Sequence, residues 1–143
     1  MKSTLFSALL LFLSFTACQS PSSSETSNAA TETSSTTAGG TVVTLTVQEF
    51  AAQSSKGTIL DVRTAGEVAQ GKIEGALVID YYSPDFLDQV SQISKDQEVY
   101  LYCAVGARSE QAARLLVQQG YTKVYHLQGG IQGWSQEGMA VVR

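Results

Sequence analysis

The stretch Glu98-Val99-Tyr100-Leu101-Tyr102-Cys103-Ala104-Val105-Gly106-Ala107-Arg108-Ser109 decides how this chain reads. Its first part is apolar and aromatic, too short for a buried helix and bounded by polar residues, which is the signature of a strand covered on both faces. From Ser109 to Gln119 the spacing turns helical: Ala112, Ala113, Leu115, Leu116 and Val117 form one stripe, and Gly120 closes the helix. Between strand and helix lies a six-residue loop, Cys103 to Arg108, beginning on a cysteine and ending on an arginine.

The same alternation extends on both sides. Thr41-Val42-Val43-Thr44-Leu45 reads as a strand and Val47 to Gln53 as a helix. Thr58 to Val62 is a second strand, Ala65 to Gln70 a short helix ended by Gly71, and Ala76 to Ile79 a third strand. Ser83 is placed as an N-cap with Pro84 in the first turn of the next helix, whose apolar face is Phe86, Leu87, Val90 and Ile93. Lys123 to Leu127 is the fifth strand, and Gly129-Gly130 turns into a short segment carrying Trp134. Short apolar strands separated by helices predict an α/β, three-layer fold: a roughly five-stranded, mostly parallel sheet with helices on both faces. Sites in such sheets form at the carboxyl ends of the strands, where Cys103 falls.

Residues 41–143 carry this pattern and residues 1–40 do not. Lys2 precedes an apolar run from Leu5 to Phe15, the length of a signal-peptide h-region rather than a membrane span of about 20 residues. The run ends in Phe15-Thr16-Ala17-Cys18, which resembles a bacterial lipobox, with Phe15 in place of the usual leucine. That resemblance implies a lipoprotein signal peptide over 1–17, lipidation at Cys18, and a domain outside the cytoplasm, lipid-anchored to the bacterial cell envelope. In a Gram-negative organism, Gln19 in place of Asp is compatible with transfer to the outer membrane. Residues 19–40 are Ser- and Thr-rich with no aromatic or large aliphatic side chain, a composition expected to form a disordered linker after the lipidated cysteine.

Charge excludes one class of partner. The whole chain has a formal charge of -4; without Lys2, Glu25 and Glu32, residues 41–143 hold 8 Lys and Arg against 11 Asp and Glu, or -3. A nucleic-acid ligand requires a basic face, which this balance does not supply. An anion site must therefore be built locally. The single histidine, His126, falls inside a predicted strand and reads as structural, and one histidine argues against a metal site.

The loop after Cys103 is suited to build such a site. A strand–loop–helix turn aims backbone N–H groups at one point and adds the positive end of the helix dipole. A thiol placed there has its pKa lowered, because the thiolate is stabilised more than the thiol. Gly106 permits the backbone conformations such a curl needs, Ala104 and Ala107 keep the mouth narrow, and Val105 adds no charge. Arg108, at the loop's end, can point its guanidinium back at a bound anion. With Cys18 assigned to lipid, Cys103 is the one thiol left to the mature chain.

Residues 41–143 resemble the rhodanese-like family of single-domain sulfurtransferases. The segments that carry the resemblance are Leu60-Asp61-Val62-Arg63; Gly71-Lys72-Ile73-Glu74-Gly75-Ala76, where Lys72 and Glu74 depart from the usual His and Pro; Cys103-x-x-Gly106-x-Arg108-Ser109; and Gly120-Tyr121 with Leu127-x-Gly129-Gly130-x-x-x-Trp134. The resemblance implies that the Cys103 thiolate takes a sulfane sulfur from thiosulfate or a persulfide donor and passes it, as a persulfide, to a thiophilic acceptor such as a thiol. It implies that Ala104, Val105, Gly106, Ala107 and Arg108 line the binding loop, that Asp61 and Arg63 brace it, and that no cofactor is needed. Glu67 is expected to pair with Arg63, and Trp134 to lie as a core lid near the site. Rhodaneses resemble phosphatases whose loop has one more residue between Cys and Arg, and the resemblance implies a cradle sized for a sulfane sulfur rather than a phosphoryl group. The competing expectation is a catalytically weak or inactive rhodanese-fold module that carries or binds sulfur.

Overall fold

Strand β4 (Val99–Tyr102) runs through the middle of a five-stranded sheet whose order is β1-β5-β4-β2-β3, with β1 Thr41–Leu45, β2 Thr58–Asp61, β3 Leu77–Val78 and β5 Lys123–Leu127. These come from a computed structural model, which describes residues 40–143. Every pairing in the sheet is parallel: Leu60 sits beside Leu101, and Leu101 beside His126. Outside the strands, Lys72 and Val142 form one antiparallel bridge.

All four residues of β4 are buried, and their alternation divides the core in two. Leu101 and Cys103 face a cluster with Leu60, Val62, Phe86, Val90, Ala112, Ala113 and Leu116. Tyr100 and Tyr102 face the other cluster, with Phe50, Leu127, Ile131 and Trp134. Helices α3 (Phe86–Val90) and α4 (Ala107–Gln118) therefore cover one face, and α1 (Val47–Gln53) and α5 (Gly130–Gln136) the other. Phe50 packs edge-on against Tyr100, Tyr102 and Trp134 at centroid separations of 5.8, 6.5 and 6.1 Å. Burying a side chain such as Leu101 contributes about 2 kcal/mol before packing is counted. The fold class and the mostly parallel sheet read from the sequence are those observed.

The differences lie at element ends. Ser83 is not the N-cap of α3. Its hydroxyl is bonded to Asp85, its carbonyl accepts from Phe86 N at 3.1 Å, and Pro84 lies in the turn so formed. The helix starts at Phe86 behind Asp85, which makes no side-chain cap bond, and stops before Ile93. Helix α2 is Ala65–Val68, shorter than Ala65 to Gln70, and β3 is two residues rather than Ala76 to Ile79. Helix α4 begins at Ala107, not Ser109, because Gly106 at φ 102° already turns the chain into the helix. In its stripe Leu115 and Val117 are half-buried, while Ser109 is buried. Gly120 ends α4 at φ 91°, with Gly120 N on Val117 O and Tyr121 N on Leu116 O, the paired bonds of a Schellman turn.

Among the described residues no helix is long and apolar enough to cross a membrane. The signal peptide, Cys18 and all of the linker up to residue 39 lie outside the described residues.

Candidate active site

Cys103 follows the last residue of β4 and is 0 % exposed. The chain leaves the strand there and enters α4 through Gly106, whose N–H points at Cys103 Sγ at 3.1 Å. The loop's carbonyls turn the other way. Ile131 N donates to Cys103 O at 2.8 Å and Gln132 N to Ala104 O at 3.1 Å, so the first turn of α5 takes up the acceptors and leaves the loop amides for the sulfur. Gly106 itself sits against Gly129 N and Leu127 O, at 3.3 and 3.5 Å from where a Cβ would stand.

Burial alone pushes the Cys103 thiol up. Hydrogen bonds from the Ser109 backbone and hydroxyl and from the Gly106 and Val105 amides outweigh it, and the thiol titrates below its ordinary range. Ser109 is buried in the first turn of α4, its Oγ 2.9 Å from Gly106 O. A hydroxyl has one proton, so it can serve the Gly106 carbonyl while the thiol is neutral and swing to the sulfur once a thiolate forms.

Arg108 is not left open toward an anion. Its Nη1 lies 2.8 Å from Glu67 Oε2 and its Nη2 contacts Glu67 Oε1, so the fork of the guanidinium is closed on one carboxylate. The same cation sits 5.6 Å from the centroid of the exposed Tyr82 ring. Glu67 is itself fixed: Oε2 accepts from Thr64 N at 3.1 Å and Thr64 Oγ1 at 2.9 Å, a capping box at the start of α2. The Arg108 hydrogen bond, helped by those from Thr64, lowers its carboxyl pKa to about 2 against the cost of partial burial.

The expected Glu67–Arg63 pair is therefore replaced by Glu67–Arg108. Arg63 turns inward to Asp61, with Nε 2.9 Å from Oδ1 and Nη2 2.6 Å from Oδ2, both residues buried. Its remaining donors hold backbone: Nη2 reaches Gly71 O at 2.8 Å and Nη1 reaches Glu67 O at 3.3 Å. Asp61 and Arg63 thus brace the segment that carries Glu67, and they also meet Tyr102, the residue before Cys103: Asp61 pairs with it in the sheet and the Arg63 guanidinium lies 5.6 Å from its ring centroid. Ala104 is half-buried, while Val105 and Ala107 are exposed at the mouth.

Trp134 projects from α5 into the core, its Nε1 2.9 Å from Ala140 O, on the face of the sheet opposite Cys103. It is a core side chain rather than a lid. His126 is buried, bonded through Nε2 to Thr44 Oγ1 at 2.9 Å, and burial lowers its pKa. Its Nδ1 has no partner among the described residues. No group of three or more His, Cys, Asp or Glu able to hold a metal occurs among the described residues.

A cysteine at the carboxyl end of a central parallel strand, with amides at a helix start turned toward its sulfur, forms a cradle on an α/β sheet that can stabilise an anionic sulfur. The Rhodanese-like domain family matches residues 46–137, and the chain belongs to that family. A sulfurtransferase of Allochromatium vinosum is 43% identical over 84 residues, covering 59% of this chain and 77% of that protein. A tRNA uridine(34) hydroxylase of Acaryochloris marina is 34% identical over 83 residues, but these are only 27% of its length. The crystal structure of a rhodanese-related protein from Thermoplasma volcanium superposes with a TM-score of 0.63 at 29% identity, covering 70% of this chain and 97% of that one.

Proposed function

We propose that this chain is a sulfurtransferase that moves sulfane sulfur from thiosulfate or a persulfide donor to a thiol through a Cys103 persulfide. The observation that carries the reading is the Gly106 N–H at 3.1 Å from Cys103 Sγ, within an amide ring that favours an anionic sulfur. The thiolate attacks the outer sulfur of the donor. With thiosulfate, the Sγ–S bond forms as the donor S–S bond breaks, and sulfite leaves with the electron pair. The same amides then hold the anionic terminal sulfur of the persulfide. A thiolate acceptor attacks that sulfur, the Sγ–S bond breaks, and Cys103 returns as thiolate, giving a ping-pong cycle through a covalent intermediate. Asp61 and Arg63 act at a distance, by fixing the segment that positions Arg108.

Intact mass spectrometry after thiosulfate or persulfide treatment tests this. A gain of one sulfur is expected, absent in Cys103→Ser; no gain from any donor overturns it. The complete burial of Cys103 favours a second reading, a sulfur-carrying or binding module of low turnover, since a donor must displace part of the loop wall to reach Sγ. Loading without turnover would single it out.

The proposal extends to location. The lipobox-like residues 15–18 support lipidation at Cys18 and a domain tethered outside the cytoplasm. A Cys18→Ala variant that still partitions with membranes would count against it.

A further inference from the structure

We propose that Glu67 determines which donors Cys103 accepts: by neutralising Arg108 at the mouth, it favours donors of low charge over dianions such as thiosulfate. This rests on the sulfurtransferase reading and deepens it.

The argument begins with a comparison inside the molecule. Helices α1 and α2 start with the same capping box, Thr46 with Glu49 and Thr64 with Glu67. Glu49 accepts from Thr46 N at 2.9 Å and Thr46 Oγ1 at 2.8 Å, and no arginine joins it. Capping a helix start therefore does not call for an arginine. At Glu67 the same cap is made, and Arg108 is added to it through both terminal nitrogens. That geometry occupies the fork with which a guanidinium grips an oxyanion. The Tyr82 ring lies against the same cation.

The charge count at the mouth follows. Arg108 and Glu67 cancel, the ionised Cys103 adds a negative charge, and Ala104, Val105 and Ala107 add none. What attracts the sulfur of a donor is then the ring of amides, which is short-ranged and acts on one atom. With Arg108 cancelled by Glu67, the far end of a dianion meets no net positive charge at the mouth, and removing the Glu67 charge favours a dianion about twice as strongly as a singly charged donor. Glutamine in place of Glu67 keeps an oxygen for the Thr64 cap, removes the negative charge, and frees the guanidinium.

The test compares thiosulfate with methanethiosulfonate, which transfers the same kind of sulfur but carries one charge fewer. Glu67→Gln is expected to raise the ratio of kcat/KM for thiosulfate over methanethiosulfonate by about fivefold, mostly through KM. The gain should vanish near 1 M salt, where the screening length falls to about 3 Å. Glu49→Gln, which loses only a cap carboxylate, should leave the ratio unchanged. An unchanged ratio in Glu67→Gln, or an equal loss for both donors, overturns the proposal and leaves Glu67 a structural cap. A second readout needs no sulfur transfer: the rate of Cys103 alkylation by iodoacetate relative to iodoacetamide should also rise in Glu67→Gln. If the wild-type chain takes sulfur from neither donor, the sulfurtransferase reading rests on persulfide donors alone, and the alkylation ratio still decides whether Glu67 sets the field at the sulfur.

Discussion

Gly130 is pressed against the backbone of Cys103: a Cβ built on Gly130 would stand 2.4 Å from Cys103 O and 2.7 Å from Ala104 O. The glycine also holds φ 58°, a left-handed conformation. No side chain fits there without moving the loop that carries the thiol. Gly130→Ala is expected to cost at least about 2 kcal/mol of stability and to abolish most Cys103 reactivity. Chemical denaturation and thiol alkylation measure the two effects. Wild-type alkylation rates in the variant would show that the loop tolerates displacement.

Ser109 supplies both a backbone and a hydroxyl contact that lower the Cys103 thiol pKa. Ser109→Ala removes the hydroxyl, so the thiol should titrate higher. Activity should therefore fall on the acid side of the thiol titration, where less thiolate remains, and change little on the alkaline side. A pH–rate profile of alkylation reads this directly, and a parallel loss at all pH values would mean that Ser109 acts only on loop geometry.

Asp61 and Arg63 form a buried pair with side-chain exposures of 0% and 4%. Arg63→Ala strands a buried carboxylate and should destabilise the domain by about 3–5 kcal/mol. The double variant Asp61→Leu with Arg63→Met leaves no stranded charge and should recover part of that loss. Urea titrations of the two variants compare them; a double variant no more stable than the single one would contradict the assignment.

Glu67 gives stability a pH dependence with a definite sign. Its carboxyl is lowered in the folded chain from 4.5 to about 2, so the folded state favours the ionised form. The contribution is complete above the unfolded value and is lost as pH falls from about 4.5 toward 2. Because the side chain is partly solvent-exposed, the effect should be modest and weakened by salt. Thermal melts of wild type and Glu67→Gln should converge as pH drops through that window, and curves that stay parallel would refute it.

The sheet and the reactive loop were legible because their signals are local. An apolar strand that ends on a cysteine, a glycine that turns the chain, and a stripe of Ala and Leu each occupy adjacent positions. The identities of partners across space were not legible. Arg63 is 4 residues from Glu67 and Arg108 is 41 away, so proximity in sequence favours Arg63, and only the fold shows that Arg63 is already committed to Asp61 and that Glu67 belongs to Arg108. Ser83 failed as a cap because Asp85, two residues on, competes for its hydroxyl. Trp134 could not be assigned to a face until α5 was placed, since a glycine-led helix has no strong apolar period of its own. Gly130 was visible as part of a motif, but its contact with the Cys103 carbonyl depends on two segments far apart in sequence.

Helix α2 has a property that its brevity conceals. None of its residues, Ala65–Val68, is fully buried, and a helix of that length does not persist alone in water. It is fastened by polar ties: the Thr64–Glu67 box, the guanidinium of Arg63 on Glu67 O and Gly71 O, and the Arg108 fork. Most of the domain is held by apolar contact, which salt barely weakens, but this small flap is moored by ions and should loosen as ionic strength rises while the sheet remains closed. Amide exchange across Ala65–Gln70 would then quicken with salt ahead of every strand, so the ionic surroundings of the protein would set how firmly the rim of the thiol site is held.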